Sequence, residues 1–132
     1  MPSFLYIEDD PLSRQVVHII LTLKMGYQDV AIFEDSTDYA ARIAALPFVP
    51  DVFFLDIHMR PHTGFEILKH LRGDSRYVKA HVVALTASIM NEEVETLRVA
   101  GFDGVIGKPV DVVKFPVLVQ RIMKGEKVWN PV

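Results

Sequence analysis

The chain predicts an α/β fold, a five-stranded parallel sheet doubly wound by five flanking helices. Three observations point there. Five short runs rich in Val, Ile and Phe alternate with five longer segments whose apolar residues recur near a 3.6 period. The alternation is strict, and parallel neighbours need crossover helices that cover both faces of a sheet. At 132 residues the chain has the length of one domain.

In order, SFLYI (3–7) reads as the first buried strand, and Asp10 before Pro11 reads as the cap of a first helix over 11–25. Leu12, Val16, Ile19, Ile20 and Leu23 form its expected core stripe, and Gly26 closes it. DVAIF (29–33) is the second strand, followed by a helix over 36–46 that ends before Pro47. DVFFL (51–55) is the third strand, and the helix over 64–74 carries Phe65, Leu68 and Leu71 on one face. HVVAL (81–85) is the fourth. Asn91 is the expected cap of a helix over 91–100, closed by Gly101. DGVIG (103–107) is the fifth strand. A last helix over 115–124 carries Phe115, Leu118 and Ile122, with Pro116 in its first turn, where no N–H is missed. Residues 1–125 read as the domain and 126–132 as a short C-terminal tail in which Trp129 either packs back or begins a linker.

Composition excludes several classes. Lys and Arg total 14 against 17 Asp and Glu, a formal charge of −3, with no basic run to track phosphates, so no direct nucleic-acid binding is expected. There is no cysteine, hence no disulfide framework or thiolate metal site. The start MPSFLYI lacks the pattern of a signal peptide, and no apolar run approaches the ~20 residues that span a bilayer. A cytoplasmic protein without a membrane segment is the expectation.

In a doubly wound sheet the ligand site lies at the carboxyl ends of the strands. Strand 1 ends in Glu8, Asp9 and Asp10, strand 3 in Asp56, strand 4 in Thr86, Ala87 and Ser88, and strand 5 in Gly107, Lys108 and Pro109. Glu8, Asp9 and Asp56 on one sheet edge repel one another unless a cation sits among them, and such hard oxygen donors suit Mg²⁺. With Lys108 as a point charge and the Thr86 hydroxyl as a donor, the pocket suits a phosphoryl group on Asp56 as covalent nucleophile. His58 and His62 are four apart, but Pro61 places them in a loop, where that spacing does not align ligands.

The segments LYIEDDPLSR, FFLDIHM followed by TGFE, VVALTAS and GFDGVIGKPV, in this order along nearly the whole chain, resemble the response regulator receiver domains of two-component signalling. The resemblance implies a flavodoxin-like strand order 2-1-3-4-5. It implies that Glu8 and Asp9 are the acidic metal pair, Asp56 the phospho-acceptor and further metal ligand, and His58 the residue whose backbone carbonyl completes the Mg²⁺ shell. Thr86 would be the switch hydroxyl, Lys108 the phosphate-binding lysine, Lys108-Pro109 a cis peptide, and Ala87 the small residue that leaves the site open. Ser88 and the His58 side chain would flank the acceptor and set the lifetime of the acyl phosphate.

The implied partners are a sensor histidine kinase or histidine phosphotransfer protein and a downstream protein, with a homodimer through helix 4, strand 5 and helix 5. The implied role is a phospho-accepting switch, not an enzyme. Val17 and Leu21 on helix 1, and Val117, Val119 and Met123 on helix 5, either widen the buried stripes or form docking surfaces, helix 1 for the kinase or phosphotransfer protein and helix 5 for a dimer or output partner. Two departures stand out: Pro61 lies five residues after Asp56 where the pattern has proline at four, and Val105 stands where it has an aromatic. A haloacid-dehalogenase-type phosphatase would need an Asp at position 58, and an electron carrier of flavodoxin type would need a Ser/Thr-rich loop where EDDP stands. The alternative function is a receiver-like module that binds proteins without being phosphorylated.

Overall fold

The computed structural model describes residues 1–129. Along the chain come β1 (Phe4–Ile7), α1 (Pro11–Ile19) running into a π-helical turn (Ile20–Lys24), β2 (Val30–Phe33), α2 (Tyr39–Ala44), β3 (Val52–Asp56), α3 (Gly64–Arg72), β4 (His81–Thr86), α4 (Asn91–Ala100), β5 (Gly104–Gly107) and α5 (Lys114–Met123). The sheet is parallel throughout, in the order β2-β1-β3-β4-β5. Ile7 pairs with Leu55, Asp56 with Leu85 and Thr86 with Gly107, so the carboxyl ends of the central strands finish side by side.

Alternation along each strand divides the core in two. Leu5, Ile7, Phe53, Leu55, Val82, Ala84 and Val105 face Ile43 of α2, Ile67, Leu68 and Leu71 of α3 and Leu97 of α4. Phe4, Tyr6, Val52, Phe54, Val83, Leu85 and Ile106 face Val17, Ile20 and Leu21 of the first helix and Phe115, Leu118, Val119 and Ile122 of α5.

The first helix corrects the expected stripe. Its core row is Val17, Ile20 and Leu21, whereas Leu12, Ile19 and Leu23 are 68%, 43% and 80% exposed. Apolar residues cover more than one arc of this helix, and periodicity does not choose which arc meets the sheet. Its last turn also widens, with Met25 N–H donating to the Ile20 carbonyl at 2.9 Å, five residues back. Of the two readings of Val17 and Leu21, docking fails for the same reason, since both are fully buried. Val119 of α5 is likewise core, while Val117 on the same helix is exposed.

Helix boundaries moved where turn chemistry intervened. α2 starts at Tyr39 instead of residue 36, because Asp38 takes a left-handed conformation (φ 49°) and Arg42 holds the preceding turn through Asp35 and the Thr37 carbonyl. Asn91 is the first helical residue of α4, with Met90 in the cap position. Asp10 caps α1 by accepting the Ser13 N–H at 2.9 Å. Asp111 accepts the N–H groups of Val113 and Lys114 ahead of α5, leaving Pro116 in its first turn. Lys108-Pro109 is cis as the resemblance implies, and Arg60-Pro61 is cis as well.

Residues past α5 return to the sheet. The Val105 N–H donates to the Val128 carbonyl at 2.7 Å, Val128 is buried, and Trp129 packs on the core. Gly104 permits this approach, since a Cβ there would lie 2.8 Å from the Val128 carbonyl oxygen.

Candidate acidic site at the carboxyl edge of the sheet

Glu8 follows β1 and is fully buried. A carboxylate in that position must be hydrogen-bonded, and every oxygen finds donors. Oε1 accepts the Tyr6 hydroxyl at 2.6 Å and Lys108 Nζ at 2.9 Å, while Oε2 accepts Lys108 Nζ at 3.2 Å and the Asp10 N–H at 3.3 Å. The Glu8 carbonyl accepts Arg14 from α1 at 2.9 Å.

Asp56 ends β3, only 6% exposed, and its Oδ1 lies 3.7 Å from Lys108 Nζ and accepts the His58 N–H at 3.3 Å. The loop after it is held tightly. Gly64 N–H donates to the Ile57 carbonyl at 3.1 Å, and a Cβ on Gly64 would sit 2.7 Å from the Asp56 carbonyl oxygen, so the start of α3 can approach β3 only as glycine. Thr63 caps α3 by accepting the Glu66 N–H. Thr86 ends β4, its carbonyl accepting the Lys108 N–H at 2.9 Å and its Oγ1 the Ser88 N–H at 3.2 Å. Beside Thr86 a cleft of about 190 Å³ runs between α3 and α4, floored by Ile57, Phe65 and Leu97.

The fold thus gathers Glu8, Asp9, Asp56, Thr86 and Lys108 at one edge. One oxygen from each of Glu8, Asp9 and Asp56 lies within 4.8 Å of the other two, with Asp9 exposed above its buried partners. His58 adds no imidazole to this side-chain cluster, and its side chain is exposed. Burial, then the neighbouring Glu8 carboxylate, pushes the Asp56 carboxyl up to about 7 despite the pull of Lys108. Burial works to lower Lys108, but its hydrogen bond to Glu8 and the charges of Glu8, Asp56 and Asp9 outweigh that and raise it. Three carboxylates against one ammonium leave a deficit of positive charge, and a set of hard oxygen donors fits a divalent ion such as Mg²⁺.

Sequence reasoning missed Tyr6, Arg14 and Ser36. Tyr6 was detectable, because residues two apart on a strand share a face and Tyr6 precedes Glu8 by two. Ser36 carried no signal: its hydroxyl donates to the His62 carbonyl and accepts the His62 N–H, both at 2.8 Å, tying the loop after β2 to the loop after β3.

A family model described as the response regulator receiver domain matches residues 4–120. The chain belongs to this family. This receiver domain is 32% identical over 126 residues to a nitrate/nitrite response regulator protein homolog of Haemophilus influenzae, covering 96% of the chain and 59% of the relative. The chain therefore spans little more than half of that relative's length. It is 26% identical to the polar-differentiation response regulator DivK of Brucella ovis, covering 86% of the chain and 89% of the relative. Among solved structures, chemotaxis response regulator CheY4 of Vibrio cholerae superposes with a TM-score of 0.78 at 26% identity, covering 92% of the chain and 98% of that structure. It is a receiver domain of the kind found in two-component response regulators. Among the described residues no helix is long and apolar enough to cross a membrane.

Proposed function

We propose that Asp56 is the phospho-acceptor of a cytoplasmic two-component phosphorelay. The observation that carries this reading is the convergence on Asp56 of Lys108 Nζ and of the Glu8 and Asp9 carboxylates. An Asp56 oxygen attacks the phosphorus of a partner's phosphohistidine in line, the P–N bond breaks, and the imidazole leaves with a proton. Lys108 neutralises charge on the transferred oxygens. Mg²⁺ held by Glu8, Asp9, Asp56 and the His58 carbonyl would supply the remaining positive charge. Water later cleaves the acyl phosphate, with Ser88 and the His58 side chain flanking the approach. The domain is a switch that takes up and loses a phosphoryl group on itself, not an enzyme acting on an external substrate.

The readout rests on Thr86, whose hydroxyl turns toward the phosphoryl group while the ends of β4 and β5 rearrange. Val105 is fully buried and too small to swing, so the rearrangement uses the cleft floored by Phe65 and Leu97. The downstream protein, or a second copy, meets the face of α4, β5 and α5. For the histidine donor, the exposed residues Leu12, Ile19 and Leu23, with Val113 and Val117 near the start of α5, form the docking surface in place of buried Val17 and Leu21. The test is phosphorylation by a histidine kinase or a small phosphodonor, with Mg²⁺ or chelator, of the native chain and of Asp56→Asn. A Mg²⁺-dependent adduct absent from the variant supports the reading; no adduct under any donor leaves a module that only binds proteins.

A further inference from the structure

Tyr6 is fully buried on β1, edge-on to Phe54 at 6.4 Å between ring centroids. The ring fills a space between the sheet, α1 and α5 that phenylalanine would fill equally well, and the neighbouring positions Phe4 and Phe54 are phenylalanine. The hydroxyl therefore needs its own explanation, and what it contacts is the acidic site, donating to Glu8 Oε1 at 2.6 Å. That is the shortest of the four hydrogen bonds on this carboxylate. It arrives from inside the domain, below the edge where Asp9 is exposed.

We infer that Tyr6 is a positioning residue for the cation site: by holding Oε1 from below, it leaves Oε2 as the oxygen that Glu8 offers beside Asp9 and Asp56. This rests on the reading of Glu8 as a cation ligand. Lys108 Nζ contacts both Glu8 oxygens, at 2.9 and 3.2 Å, and competes with any cation for them. With the Tyr6 hydroxyl in place, Oε1 has two donors and Oε2 keeps only longer contacts at 3.2 and 3.3 Å. Without it, Oε1 loses its shortest partner and the carboxylate is free to swing about its last bond, so that Oε2 is no longer fixed beside Asp9 and Asp56. Partners that orient metal ligands in this way affect affinity more than they affect the fold.

The experiment is calorimetric Mg²⁺ titration of the unphosphorylated protein and of Tyr6→Phe, Glu8→Gln and the double variant, with thermal melts in chelator and in Mg²⁺. Tyr6→Phe is expected to weaken Mg²⁺ binding about tenfold. Its melt in chelator is expected to fall only slightly, the gain in melting temperature on adding Mg²⁺ to shrink, and the Mg²⁺ concentration that gives half-maximal phosphodonor labelling to rise with the weaker binding. On the Glu8→Gln background the same change is expected to add nothing, because the two residues act as one unit. An unchanged Mg²⁺ affinity in Tyr6→Phe overturns the inference, as does equal loss of stability with and without Mg²⁺, which marks a hydroxyl of structural use alone. In either case a native chain that binds Mg²⁺ and takes the label leaves the function standing. A native chain that binds no Mg²⁺ overturns both.

Discussion

Asp56 is held between opposing demands: buried at a strand end, beside Glu8, it sits at about 7 against an ordinary value of 3.8. A carboxyl with a raised folded value keeps a proton that the unfolded chain gives up. Its contribution is therefore complete below the unfolded value and is lost as pH rises toward about 7. In chelator, Asp56→Asn is expected to melt above the native protein at pH 8, by roughly 2–8 °C, with the gap closing by pH 4. A gap that does not change with pH contradicts this. Gly64→Ala is expected to lower stability by about 1–3 kcal/mol, because its Cβ meets backbone at 2.7 Å and backbone does not yield like a side-chain tip. Denaturant melts check this, and an unchanged midpoint contradicts it. At this scale the charged residues were legible, since an acid or a lysine at the end of an apolar strand has no place in a core. Tyr6 was legible only through its spacing of two from Glu8 on one strand face, and Ser36 was not, because a serine suits any turn and only its partner reveals a role.

Among the elements, the first helix shows what pattern cannot decide. Both Leu12 and Val17 belong to apolar rows, yet one is 68% exposed and the other fully buried. Only the sheet and α5 settle which row is covered, and the π turn at Ile20–Lys24 shifts the phase of the helix at its carboxyl end. The two rows separate stability from docking. Val17→Asp buries an unpaired charge and is expected to unfold the domain, whereas Leu12→Asp and Leu23→Asp are expected to melt within a degree or two of the native chain. The same exposed substitutions are expected to slow phosphotransfer from a cognate histidine kinase while leaving labelling by a small phosphodonor unchanged. Equal slowing with both donors places the effect in the site instead of the docking surface. On α5 the predicted row Phe115, Leu118 and Ile122 is core as read, because this helix has exposed residues enough to define its outer face.

For the whole molecule, topology was the most legible feature. Strict alternation of strand and helix leaves few arrangements once crossovers must be right-handed and both faces covered, and the observed order β2-β1-β3-β4-β5 is the one the resemblance implies. What the pattern left open was whether the chain past α5 packs back on the domain, and Val128 and Trp129 do so. One valine and one tryptophan carry no periodicity, so only the structure shows Val128 bridging Gly104. Removing residues 126–132 withdraws the carbonyl that accepts the Val105 N–H and uncovers the β5 edge. The shortened chain is expected to melt several degrees lower, by roughly 4–8 °C, with its phosphodonor labelling retained at a temperature where it is folded. An unaltered melting temperature would show that this return adds nothing to the domain.

The most direct test of the account is intact mass after incubation with a small phosphodonor, with Mg²⁺ or with chelator, on the native chain and on Asp56→Asn. The account predicts a single phosphoryl adduct on the native chain that needs Mg²⁺ and is absent from the variant. An adduct that persists in Asp56→Asn, or none on the native chain with either a small donor or a histidine kinase, would contradict it.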